Sequence, residues 1–333
     1  MARRSTHPYS RLTPDLVIAS IEALGFQCDG RVLALNSYEN RVYQVGIEAD
    51  APRVAKFYRP ERWSTQSLLE EHAFALELAT AEVPIVAPLQ FDGRTLHERD
   101  GFRYALYERR GGRWPELATR DDRIIMGRFI GRLHGVGASR RFAHRLSLDW
   151  RRLGRDSVKY LLEHGWLPDH LTEAYDTLTQ DLLEEIEHAF DDLARVTAQR
   201  LHGDLHPGNI LWTDRGPHIV DLDDAVSGPA IQDLWMLVAG SNDEMSVQLS
   251  DLLDGYREFA DFDARELRLI EPLRTLRMIH YAAWLARRWD DPAFPLAFPW
   301  FSEPRYWERH VLDLREQFAA LRAEPLSLAR PAR

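Results

Sequence analysis

Asp204 and Asn209 stand five positions apart in His202-Gly203-Asp204-Leu205-His206-Pro207-Gly208-Asn209, and Asp221 closes the run Ile219-Val220-Asp221. Glycine and proline punctuate the first segment and mark it as a tight loop. Moving a phosphoryl group out of ATP needs a carboxylate beside the attacking hydroxyl. It also needs an amide oxygen and a second carboxylate to hold Mg²⁺ on the phosphates. Asp204, Asn209 and Asp221 offer these groups in that order. Lys56, in Val54-Ala55-Lys56-Phe57, is the candidate for the α- and β-phosphates. Each residue also has a plainer reading: Asp204 as an Asx-turn, Asn209 as a turn or cap. The joint spacing favours chemistry over coincidence.

The loop resembles the protein-kinase catalytic loop His-Arg-Asp-x-x-x-x-Asn, with Gly203 in the place of arginine. In that glycine form it is similar to the kinase-like phosphotransferases, among them aminoglycoside, choline and homoserine kinases. The resemblance extends to Asn36-Ser37-Tyr38-Glu39-Asn40-Arg41, Lys56-Phe57-Tyr58-Arg59-Pro60-Glu61-Arg62-Trp63, Gly228-Pro229-Ala230-Ile231-Gln232-Asp233-Leu234-Trp235 and Trp284-Leu285-Ala286-Arg287-Arg288-Trp289. These segments resemble the bacterial stress response kinase A family and lie in both halves of the chain. The resemblance implies a cytoplasmic serine/threonine protein kinase of the bacterial stress response, built on an aminoglycoside-kinase-like fold. It implies ATP as co-substrate, Mg²⁺, and a protein hydroxyl as acceptor. It also places Ser37 at the ATP site and gives Asp233 the task of holding the catalytic-loop backbone.

The sequence departs from protein kinases in two places. Leu222 and Asp223 replace the phenylalanine and glycine that follow the metal aspartate there. Ala34 to Val45 contains no glycine, so a glycine-rich cover over the phosphates is absent, and Asn36-Ser37 reads as a simple turn without the resemblance. A small-molecule kinase of the aminoglycoside, choline or homoserine type is the alternative. A non-catalytic ATP-binding regulator is disfavoured, because Lys56, Asp204, Asn209 and Asp221 are all intact.

The elements that position these groups read as an α+β, bilobal, protein-kinase-like fold. A small sheet-rich lobe covers residues 1–110, with a hinge at about 107–112, and a helical lobe covers 111–333. Thr13-Pro14 reads as the cap and first position of an opening helix with Val17, Ile21 and Leu24 on one face and Gly25 at its end. Strands are expected near Val42–Ile47, Val54–Tyr58 and Phe102–Tyr107. In the second, Lys56 shares a face with Val54 and Tyr58. A helix from about Thr65 to Thr80 carries Glu71 on the stripe of Leu68, Ala75 and Leu78. A carboxylate on an apolar stripe needs a partner, and Lys56 is the candidate, although neighbouring Glu70 leaves the pairing open. Further on, Ile125, Phe129, Leu133 and Val136 fit one helical face. Helical patterns cover roughly 155–195, 230–260, 264–289 and 305–322, and the tail from Ala323 reads as loosely ordered.

Composition narrows the partners. The 333 residues carry a net charge of −10, which disfavours nucleic acid and anionic membranes. Cys28 is the one cysteine, so an intramolecular disulfide is impossible and a reducing compartment fits. No apolar run approaches the ~20 residues of a membrane span, and a cytoplasmic monomer is expected. His202 reads as a structural histidine rather than a zinc ligand, and His206 as a group near the transferring phosphate. Asp223 is either a second-metal support or a hydrogen-bond partner of the site. Trp235, Trp284, Trp289 and Trp300 read as core.

Overall fold

The computed structural model describes residues 7–193 and 196–328. Helix α1 (Pro14–Glu22) begins where the Thr13 side chain accepts from Leu16 N at 3.2 Å, and the chain leaves it at Gly25 with φ +93°. The chain then builds an antiparallel five-stranded sheet from β1 (Cys28–Ala34), β2 (Arg41–Ile47), β3 (Asp50–Phe57), β4 (His97–Arg99) and β5 (Phe102–Glu108), in the order β1-β2-β3-β5-β4. Strand alternation sorts its side chains. Ala55 and Phe57 pack with Val17, Ile21, Val45 and Leu106 in one apolar core. Val54 and Lys56 face the other way, toward α2 (Thr65–Thr80), whose first turn is capped by Ser64. The extended stretch after α2 bridges both lobes, through Ile85 beside Ile219 and Pro88 beside Tyr107.

The second lobe is mostly helical. It contains α3 (Arg120–Ala138), α4 (Asp156–Glu163), α5 (Asp169–Asp192), α6 (Asn242–Tyr256), α7 (Ile270–Arg288), α8 (Ala293–Ala297) and α9 (Pro304–Leu321). Two short antiparallel pairs interrupt it: β6 (Gln199–Leu201) with β9 (Val226–Gly228), and β7 (Ile210–Thr213) with β8 (Gly216–Ile219).

The buried face of α3 differs from the expected one. Met126, Gly127, Ile130, Gly131, His134 and Gly137 are buried with Leu133, whereas Ile125, Phe129 and Val136 are only half-buried. A Cβ on Gly127 or Gly131 would collide with the α6 backbone at Leu252 and Tyr256. Glycines let the two helices meet at backbone distance, and they carry no apolar signal for periodicity to find.

The 155–195 pattern is two helices rather than one, parted at Gly165 with φ +63° and restarted after Pro168. Residues 230–237 form 3₁₀ turns before α6, and 264–269 form another before α7. Of the expected loose tail, residues 323–328 form no helix or strand, although Leu326 and Leu328 pack against the main core of this lobe, and residues 329–333 lie outside the described residues. Among the described residues no helix is long and apolar enough to cross a membrane.

Candidate active site

The loop that carries Asp204 is fixed from below. Asp233, fully buried, accepts from His202 N at 2.7 Å and Gly203 N at 2.8 Å, and it meets His134 Nε2 at 3.1 Å. That is the backbone anchoring expected of it. Buried His202 donates from Nε2 to Val220 O at 2.8 Å, a structural role. Gly203 has φ +88°, and a Cβ there would collide with the carbonyl oxygen of Asp224. No arginine fits that position, which is why the loop reads Gly where protein kinases have Arg. Val220 N donates to Asn209 O at 3.0 Å, and the β7–β8 register begins with Ile210 opposite Ile219, so Asn209 and Asp221 lie side by side.

Between the lobes lies a cleft of about 340 Å³. Leu35, Val42, Val54, Leu211 and Val220 make its apolar walls, with Glu108 of the hinge at its edge. Ser37, Lys56, Glu71, Asn209 and Asp221 line it together. An apolar slot with a cluster of polar groups suits a flat base bearing phosphates. A larger groove of about 430 Å³, lined by Lys159, Glu163 and Glu187, holds none of these groups.

The donors present fit Mg²⁺. Asn209 donates its side-chain amide to Asp204 O at 2.9 Å, and its amide oxygen has no hydrogen-bond partner among the described residues. Asp221, in the left-handed region at φ 64°, has a half-exposed carboxylate with one oxygen on Lys56 Nζ at 2.6 Å. Two oxygen donors with open positions beside them match an ion that keeps waters and substrate phosphates in its shell.

The expected Lys56–Glu71 ion pair is not closed. Among the described residues Lys56 meets Asp221 at 2.6 Å and Asp223 at 3.4 Å, while the cation facing Glu71 is Arg145 at 3.8 Å. Burial opposes the Lys56 charge, but Asp221 and Asp223 hold its pKa well above the ordinary lysine value. The Asp221 and Asp223 carboxylates thus compete with Glu71 for the lysine. Glu70 is excluded as the partner, because it accepts from the backbone N–H groups of Ala143, His144 and Arg145 at 2.6, 2.7 and 2.8 Å.

Burial raises the Glu71 carboxyl to about 7, above its ordinary 4.5, against the opposing pull of Lys56. Below 4.5 it is protonated in both folded and unfolded chains. Between 4.5 and 7 the unfolded chain loses the proton first, so this residue's contribution to stability falls as pH rises and levels off above 7. Glu71→Gln should therefore raise the melting temperature of the nucleotide-free protein more at pH 8 than at pH 5. The same variant should weaken ATP use. A melting shift that is equal at the two pH values would contradict a buried, proton-bearing Glu71.

Asp223 is buried between Lys56 and Arg62. Burial raises its carboxyl, but Arg62, Lys56 and Arg145 together hold it well below the usual carboxylate range. It acts as the anchor of an ion-pair network with Arg62, which also reaches Asp224 at 2.6 Å. Burial likewise raises Asp204, yet His206, with Nε2 at 3.5 Å, and the Arg277 guanidinium outweigh it and hold Asp204 at about 2. His206 thus faces Asp204, and its Nδ1 accepts from Gly208 N at 3.0 Å.

Arg62, Arg145 and Arg277 escaped sequence reasoning. Arg62 lies inside the Lys56–Trp63 segment, but Arg277 is 73 positions from Asp204 and nothing in local spacing joins them. Of the tryptophans, Trp235 is core, Trp284 and Trp289 are half-buried, and Trp300 is 39% exposed, contrary to expectation.

Ser37 lines the cleft and donates its hydroxyl to Asn40 O at 3.2 Å, the bond of a turn. Its rotation onto a phosphate oxygen would exchange a turn bond for one to a charged acceptor, worth about 1.5–3 kcal/mol at most. Ser37→Ala should weaken ATP affinity by about tenfold with little change in melting temperature. Normal ATP affinity together with a lowered melting temperature would leave only the turn.

Comparison with known proteins agrees with this geometry. Residues 31–270 match the model of the phosphotransferase enzyme family (APH). Stress response kinase A of Escherichia coli strain K12 is 43% identical over 325 residues, covering 97% of this chain and 98% of that protein. The protein of Salmonella typhimurium strain LT2 named serine/threonine protein kinase RdoA is 43% identical over 321 residues, covering 96% and 97%. Among solved structures, amicoumacin kinase in complex with AMP-PNP, Ca²⁺ and its ligand superposes with a TM-score of 0.69 at 17% identity, covering 92% of this chain and 97% of that one. Choline kinase from Cryptosporidium parvum superposes with a TM-score of 0.62 at 13% identity, covering 93% and 96%. The chain is a phosphotransferase: it belongs to the phosphotransferase enzyme family and, within it, to the stress response kinase A group.

Proposed function

We propose that the protein transfers the γ-phosphoryl group of Mg²⁺-bound ATP to a serine or threonine hydroxyl on a protein, as a kinase of the bacterial stress response. The observation that carries this reading is the meeting of Lys56, Asn209 and Asp221 in one cleft, with Asp204 tied to Asn209 at its edge. The lobes divide at about residue 110, and the base of ATP takes the apolar slot beside the hinge. Lys56 leaves Asp221 for the α- and β-phosphates, and Glu71 then receives the lysine. Asn209 and Asp221 would hold Mg²⁺, whose charge would offset that of the phosphates.

Asp204 accepts a hydrogen bond from the acceptor hydroxyl and orients its oxygen toward the γ-phosphorus. The new P–O bond forms as the bond to the bridging β–γ oxygen breaks. ADP leaves with that electron pair, and the hydroxyl proton passes to Asp204. In a loose transition state the hydroxyl proton departs late, so orientation by Asp204 matters more than its basicity. The test is transfer from γ-labelled ATP to candidate proteins and, in parallel, to a panel of amino sugars, amino alcohols and amino acids. Label on protein serine or threonine supports the reading. Label confined to small alcohols overturns it.

A further inference from the structure

One face of helix α7 carries Arg277, His280, Tyr281, Trp284, Arg287 and Arg288 at helical spacings of three and four, with Arg277 and Tyr281 exposed and the other four half-buried. The opposite face, with Leu273, Leu276, Ile279, Ala283 and Ala286, is buried. One end of the stripe holds Asp204 through Arg277, whose side chain is 45% exposed. The other end holds Glu39, in the loop that carries Ser37, through Trp284 Nε1 at 2.6 Å and Arg288 at 3.0 Å. The stripe therefore runs from the catalytic carboxylate to the loop over the phosphates, and it contains no acidic residue. In the short turn packed against α7, Arg152 is half-buried with its Nε enclosed and lacking a hydrogen-bond partner. Among the described residues no carboxylate lies within ion-pair distance of its guanidinium, and Asp149, Asp224 and Asp156 act on its charge from further away.

We propose that this stripe, with Arg152, is the acceptor-binding surface, and that the hydroxyl it receives lies on a peptide segment with acidic side chains beside it. The inference rests on the protein-kinase reading and names the substrate class for it. Arg277, exposed at one end of the stripe, and Arg152, with no ion-pair partner among the described residues, offer guanidinium groups to acidic side chains of an extended chain. It also gives Arg277 a task. With no acceptor, Arg277 neutralises Asp204. An acidic side chain on the acceptor competes for the guanidinium and frees the carboxylate to take the hydroxyl. Binding of the correct acceptor thereby unmasks the catalytic group. Arg277 and Arg152 act as specificity residues.

The test compares two fluorescent peptides of equal length, each with one central serine, one flanked by Asp and Glu and the other by Lys and Arg. Binding to the full-length protein with MgADP is read by anisotropy, and transfer is read from labelled ATP. The acidic peptide should bind about tenfold tighter and show the higher kcat/KM. Arg152→Glu should abolish or reverse that preference through KM, and Arg152→Lys should retain most of it. If Arg152→Glu does not fold, the wild-type comparison and the lysine variant still decide. Equal binding, or a preference for the basic peptide, overturns the acidic-acceptor inference and leaves the protein-kinase reading standing. Label on a small alcohol and on no protein removes both.

Discussion

Asp204→Asn should lower kcat by about 10²- to 10⁴-fold, the range for loss of a positioned proton acceptor, with MgATP affinity little changed. Asp204 is absent from the lining of the nucleotide cleft, and it touches Asn209 through its backbone carbonyl, which the substitution keeps. The side-chain carboxylate faces His206 and Arg277 instead. Asparagine preserves the shape but offers one acceptor oxygen and no charge. Steady-state kinetics with a separate nucleotide-binding titration resolves the two effects. Turnover at the wild-type level would remove Asp204 from the mechanism.

Loss of the Asp221 charge should act on the nucleotide instead. Asp221→Ala removes a charged ligand, worth about 1.5–3 kcal/mol, so ATP affinity should fall roughly 10- to 100-fold when Mg²⁺ is present. Without Mg²⁺ the change should be small or reversed, because Asp221 then only repels the phosphates and competes for Lys56. Asp221 has φ 64°, where alanine is strained. Asp221→Asn tolerates that backbone better and should show the same Mg²⁺ dependence with less loss of stability. Equal ATP affinity of wild type and variant across a Mg²⁺ titration would exclude Asp221 as a ligand.

Local signals in the sequence were dependable where a single element sets the outcome. The apolar stripe of Leu68, Ala75 and Leu78 places α2 at Thr65–Thr80 as expected, and Thr13-Pro14 opens α1. Strand alternation puts Lys56 on the cleft face, and the Asp204 to Asn209 spacing puts Asn209 in the same cleft.

What spacing could not show is what meets across long separations. Arg277 on Asp204, Arg62 on Asp223 and the choice of Lys56 for Asp221 over Glu71 are set by tertiary charge competition. The α3–α6 contact was hidden because Gly127 and Gly131 create it by lacking side chains. The break between α4 and α5, by contrast, was legible in Gly165 and Pro168, which mark a helix stop.

The most direct measurement incubates the full-length protein with γ-labelled ATP, Mg²⁺ and a proteome extract, beside a panel of small alcohols, and identifies the labelled residues by mass spectrometry. Phosphoserine or phosphothreonine on protein, lost on chelation of Mg²⁺ and in Asp204→Asn, is the expected result. Label on small alcohols alone, or label on protein that survives in Asp204→Asn, would contradict it.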